Sequence, residues 1–129
     1  MPSYRNEAAF SKALVSIMRR RGWFVQRIES GETGKGIPDI YAITPACVPM
    51  WLELKRERGL LLQSEYVEIH WRPGQQSWLH DVVSRKQLAY TIACFDNGLL
   101  SIPHHNIWPE NRVLLSLCEY SRDISDLLR

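Results

Sequence analysis

Apolar residues recur along the first twenty positions at helical spacing, with Phe10, Leu14, Ile17 and Met18 on one side. Ser3 supplies an N-cap and Gly22 a stop signal, so the pattern predicts a helix over residues 3–21. The period then changes. Residues 23–29 (WFVQRIE) alternate as a strand, and a polar, glycine-rich loop follows over residues 30–36. Residues 38–44 and 48–55 are two further strand-like runs, separated by Pro45, Ala46 and Cys47 with Pro49 just beyond. So short a connection predicts an antiparallel hairpin. Residues 60–71 form a segment with an apolar Leu60-Leu61-Leu62 and an alternating run from Tyr66 to Trp71, which suits either a small extra hairpin or a flap used in dimer contact. Pro73 opens a second helix whose apolar face is Trp78, Leu79, Val82 and Val83. Residues 88–95 (LAYTIACF) read as a strand buried on both faces, and Asp96-Asn97-Gly98 as a tight turn into residues 99–102. Pro109 then predicts a C-terminal helix with Val113, Leu114, Leu117 and Tyr120 on one side, continued by Ile124, Leu127 and Leu128.

The order helix, strand, strand, strand, helix, strand defines an α/β domain. The 129 residues suffice for a single unit, 1–129, with its core at about 4–95 and a helical extension over 99–129. A net charge of +2 excludes a polycationic coat, so any nucleic-acid surface must come from local clustering. Cys47, Cys94 and Cys118 are widely spaced among apolar residues and read as reduced core thiols. No apolar run is long enough to span a membrane, and no signal-peptide pattern opens the chain, which points to the cytoplasm of a bacterial or phage-infected cell. The loop over 30–36 is not a Walker A loop, and no nucleotide cofactor is expected.

The hairpin carries the chemistry. With its turn centred near Ala46, Asp39 falls opposite Glu53, each seven positions away. Alternation puts Glu53 and Lys55 on one face and Leu52 and Leu54 on the other. Like charges directly opposed on a sheet repel, so a fold that places them there calls for a cation between them. Mg²⁺ or Mn²⁺ suits such an oxygen site, retaining waters that a phosphate can replace. Lys55 points to the same place, where it can orient a water or offset phosphate charge. The arrangement calls for phosphodiester hydrolysis.

Pro38-Asp39 followed by Glu53-Leu54-Lys55 resembles the PD-(D/E)XK nuclease signature. Residues 36–40 (GIPDI) and 51–55 (WLELK) resemble the branch that includes VRR-NUC domains and archaeal Holliday-junction resolvases, and Arg72, Gly74, Gln75 and Trp78 resemble its glutamine motif. The resemblance covers residues 7–95 and implies a restriction-endonuclease-like αβββαβ core, a mixed central sheet flanked by helices. It implies that Asp39, Glu53 and the backbone carbonyl of Leu54 hold the metal, with Glu7 on the first helix reaching it through water. Lys55 then orients the nucleophile and Gln75 supports it, Gln76 being a one-residue alternative. Ser30 and Lys35 in the loop, with Arg56 and Arg72, are expected to approach DNA. Arg19, Arg20 and Arg21 either complement the helix dipole or touch the DNA backbone. Adjacent His104 and His105 point in different directions and have no third ligand near. The expected activity is that of a metal-dependent DNA endonuclease, structure-selective on branched DNA and homodimeric, with a phage or mobile-element origin suiting its size. The rivals are a duplex or flap nuclease of repair or restriction type, and a catalytically silent nuclease-fold module that binds DNA or a protein.

Overall fold

The first helix, α1 (Glu7–Arg20), is capped by Asn6, whose side chain accepts the Ala9 N–H at 2.9 Å. It therefore begins later than a Ser3 cap would set it. Ser3 lies outside the residues that the computed structural model describes, which are 4–28 and 36–129. Phe10, Leu14, Val15 and Met18 are buried along one side of α1, and each large side chain so removed from water contributes about 1.5–3 kcal/mol. Arg21 and Gly22 end the helix, with Gly22 at a φ of 86° that favours glycine.

Strand β1 (Phe24–Arg27) pairs antiparallel with β2 (Ile40–Ile43), and β2 with β3 (Pro49–Arg56). Thr44 closes the β2–β3 turn, donating its N–H to Val48 O at 2.9 Å and accepting the Val48 N–H on its hydroxyl at 3.1 Å. Cys47 sits exposed in this turn at a φ of 66°, so it is not a core thiol; Cys94 is buried and Cys118 half-buried. Beyond β3 the chain passes through β4 (Tyr66–Glu68) and α2 (Gln75–Ser84) and returns as β5 (Leu88–Phe95), parallel to β3. A parallel partner requires such a crossover. The predicted turn at 96–98 leads into β6 (Gly98–Pro103), antiparallel to β5. With β8 (Glu119–Ser121) on the β6 edge, the mixed sheet has six strands in the order β1-β2-β3-β5-β6-β8.

Alternation sends each strand's residues into two cores. On one face Leu52, Leu54, Ile92, Cys94 and Leu99 meet α1 and Ile124 of α3 (Ile124–Leu127). On the other, Ala93, Phe95, Leu100 and Ile102 meet Ile69, Trp71, Trp108 and Val113, with α2 alongside. The predicted αβββαβ core is present. The predicted C-terminal helix from Pro109 is not. Glu110 and Asn111 both take a φ of 57°, which halts a single 3₁₀ turn, and the chain continues as β7 (Arg112–Leu114), a second short 3₁₀ turn and β8. Val113 faces inward from a strand, while Leu117 and Tyr120 are 46% and 52% exposed. The extension therefore holds three short strand segments and two 3₁₀ turns, with the four-residue α3 as its α-helix. β7 pairs with β4, so the strand of the 59–71 segment joins the C-terminal extension in a separate two-stranded sheet instead of forming a hairpin of its own. Among the described residues no helix is long and apolar enough to cross a membrane.

Candidate active site

Ile40 stands opposite Leu52 in the β2–β3 ladder, so the next pair outward is Asp39 and Glu53. The turn-centred register of the sequence is the register of the sheet. Asp39 is held by backbone: its Oδ2 accepts the Leu54 N–H at 2.8 Å, and its own carbonyl accepts the Ile28 N–H at 2.8 Å. Leu54 itself turns its side chain into the α1 core. Glu53 is 2% exposed and Lys55 4%, on the α2 side of the sheet.

Glu53 is chemically unsettled. Its Oε2 is buried without a hydrogen-bond partner. Burial, then the hydrogen bond to Asp39 and the charge of Asp39, push its pKa up to about 10; Lys55 works against this rise and Glu7 adds to it. A cation between the two carboxylates reverses the charge repulsion and supplies the missing partner, so the donors fit a hard divalent ion. Glu7 is exposed at the first position of α1, near enough for its charge to act on Glu53. Among the described residues no three His, Cys, Asp or Glu side chains cluster closely enough to hold a metal. A pair of acids suits an ion that keeps much of its water.

Gln75 is the first residue of α2 and is 5% exposed. Its Oε1 accepts the Arg72 N–H at 2.8 Å, fixing the turn before the helix. Gly36 and Gly74 bring this turn to the segment leading into β2, which carries Asp39. A Cβ on Gly36 would lie 2.6 Å from Gly74 O, and both glycines have a φ near 85–90° (84° and 89°). Gln76 faces elsewhere, its amide bonding Trp108 O, Trp108 N and Asn111 Oδ1. It anchors a loop.

The arginines divide. Arg19 donates to Val25 O and Arg21 to Ser125 O, at the far end of α1 from Glu7, a distance of roughly 20 Å along the 14-residue helix. Arg56 is tied to Asp96, Tyr4 O and Cys94 O within the fold. Arg72 is exposed beside Gln75. Ser30 and Lys35 lie outside the described residues. Glu57 and His70, passed over in the sequence, stand close to the site. Glu57 continues the 53, 55 alternation and is 5% exposed; its carboxylate accepts the His70 N–H at 2.9 Å and lies 2.6 Å from His70 Nδ1. The E-x-K-x-E spacing was the signal for the first; nothing local signals the second.

The two acids and the lysine thus sit together on a mixed sheet flanked by helices. The chain is similar in structure to Hjc, a Holliday junction resolvase from the archaeal hyperthermophile Archaeoglobus fulgidus. The TM-score is 0.60 at 16% identity, covering 85% of this chain and 89% of that one. No family model and no curated protein matches the sequence.

Proposed function

We propose that this protein is a metal-dependent DNA endonuclease that acts on branched DNA. What supports the reading is Asp39 and Glu53 meeting across a hairpin, with a buried carboxylate oxygen left unpartnered and Lys55 on the same face. The likeness to Hjc, a Holliday junction resolvase, supports the branched substrate, and the family resemblance of the motifs implies a homodimer in which two such sites face two strands. Asp39 and Glu53, with the Leu54 carbonyl, are the residues to hold Mg²⁺ or Mn²⁺. When bound, the ion supplies an acidified water and neutralises charge on the scissile phosphate. Lys55 orients the attacking water and offsets phosphate charge. Gln75 fixes the Arg72 turn, which sets the substrate-facing end of α2, and Glu7 extends the acidic shell through water.

The test is cleavage of labelled four-way-junction, flap and linear DNA in Mg²⁺ by wild type and Asp39→Ala. Junction-selective cutting that falls about 10³-fold in the variant, equivalent to roughly 4 kcal/mol of barrier, is the expected result. Equal cutting of all three substrates removes the branched preference and keeps the nuclease. A folded wild type that binds DNA and cuts none of them in Mg²⁺ or Mn²⁺ overturns the enzyme and leaves a binding module.

A further inference from the structure

Glu57 is a carboxylate with 6% of its side chain exposed, a placement that is unfavourable unless the charge is paired and hydrogen-bonded. Its partner is His70, which gives it the backbone N–H and presents Nδ1 to both oxygens, at 2.6 and 3.1 Å. With Nδ1 turned to the carboxylate, that nitrogen is the donor and the ring orientation is set. The remainder of the ring faces out, the side chain being 77% exposed. Ile69 and Trp71 on either side are buried, and the Trp71 indole N–H bonds Thr91 Oγ1 at 3.0 Å, so the backbone that carries His70 is pinned. The result is an immobilised imidazole with Nε2 aimed at solvent.

Its position gives this a purpose. Glu53, Lys55 and Glu57 share one face of the same chain segment, and the Glu57 N–H bonding Cys94 O at 2.9 Å extends the ladder past β3. Two residues of strand advance ~6.6 Å, the order of one nucleotide step along a nucleic-acid backbone. The cleft around His70, about 440 Å³, is open and lined by Arg56, Arg58, Glu68, Leu60, Val67 and Phe95. We propose that His70, clamped by Glu57, is a phosphate-binding residue that grips the backbone one nucleotide from the bond beside Lys55. This rests on the nuclease reading. The groups that face His70 are Glu57 and Lys55 from the β3 segment, Arg58 after it and Glu68 from β4. The hydrogen bond and charge of Glu57, with Glu68 behind, hold its pKa above the usual histidine value against desolvation and Lys55. The protonated form is thereby favoured relative to a free histidine, and it offers a charged N–H donor to a phosphate oxygen.

The experiment measures binding of labelled four-way-junction DNA in EDTA across pH 5.5–8.5 and a salt series (roughly a Debye length from 10 to 5 Å). The proteins are wild type, His70→Ala and His70→Lys. Expected are about fivefold weaker binding for His70→Ala at pH 6, a salt slope lower by about 0.9, and a gap that closes as pH rises past the His70 pKa. His70→Lys restores affinity and flattens the pH profile, an outcome that a merely structural clamp does not give. Wild-type affinity, slope and pH profile in His70→Ala overturn the proposal. If wild type still cuts junctions in Mg²⁺, the nuclease reading survives that loss; if wild type neither binds nor cuts, both fall.

Discussion

Two polar clusters lie side by side on the α2 face of the sheet, joined where Glu53 of β3 stands in register with Thr91 of β5. Each leaves one buried atom without a partner, Glu53 Oε2 in the first and His104 Nδ1 in the second. The second is otherwise complete. Thr91 Oγ1 accepts the Trp71 indole N–H and lies 2.7 Å from His104 Nε2, and the two rings meet edge to face at 5.5 Å. Burial, helped by His80 and His105, pushes the pKa of His104 down to about 4, so the imidazole is neutral. The first cluster reaches neutrality only by holding a proton or by accepting a cation. The second cluster is neutral without any ion; in the first, two acids face a single lysine.

The largest effect that sharpens this contrast is on stability in acid. The folded pKa of His104 lies below its unfolded value of 6.5, so the unfolded chain binds more protons between them. The stability conferred by neutral His104 is therefore full above about pH 6.5 and is lost as pH falls towards about 4, amounting to about 3 kcal/mol. Glu53 runs the other way: its folded pKa is raised from 4.5, so its contribution is full below that value and is lost as pH rises. Without metal the two slopes oppose each other between about pH 4.5 and 6.5. Denaturant titrations of Glu53→Gln should expose the His104 slope alone, and an acid-insensitive midpoint there breaks the comparison.

Metal comes next. At about 100 times its Kd, Mg²⁺ should stabilise the protein by about 2.7 kcal/mol in thermal melts. Asp39→Ala should lose that gain and His104→Gln should keep it; equal gains in all three would put the ion elsewhere.

The smallest effect is the most diagnostic. At pH 7 without metal, Glu53→Gln should stabilise the fold by about 2 kcal/mol, because an amide needs no proton to be neutral. Thr91→Val should destabilise by about 1–2 kcal/mol, because it leaves the Trp71 and His104 groups unpaired. Melts of the two variants beside wild type read both signs at once.

Much of this was legible in the chain because the contacts involved are local or periodic. Asp39 meets Glu53 across one hairpin, whose register follows from counting outward from Ala46. The α1 stripe and the run from Leu88 to Phe95 are matters of period. The C-terminal extension failed for the opposite reason. Val113, Leu114 and Leu117 fit a helical stripe, but their segment's partners are β4 and β6, strands that no local window contains. Tertiary pairing overrode the pattern. His70 was illegible in the same sense, since only the fold brings it back over Glu57, thirteen positions away. Gln75 and Gln76 were adjacent candidates, and only the docking of Gln76 on Trp108 separated them.

The β2–β3 hairpin has one further consequence, for how this chain can vary over time. Because side chains alternate, lengthening or shortening the turn around Ala46 by one residue on one side would swing Asp39 to the opposite face, into the α1 core, with every side chain still present. A change of two would keep the face and slide the acids apart by ~6.6 Å. Lineages of this protein are thus constrained in the length of an exposed, chemically idle turn as tightly as in the two acids it aligns.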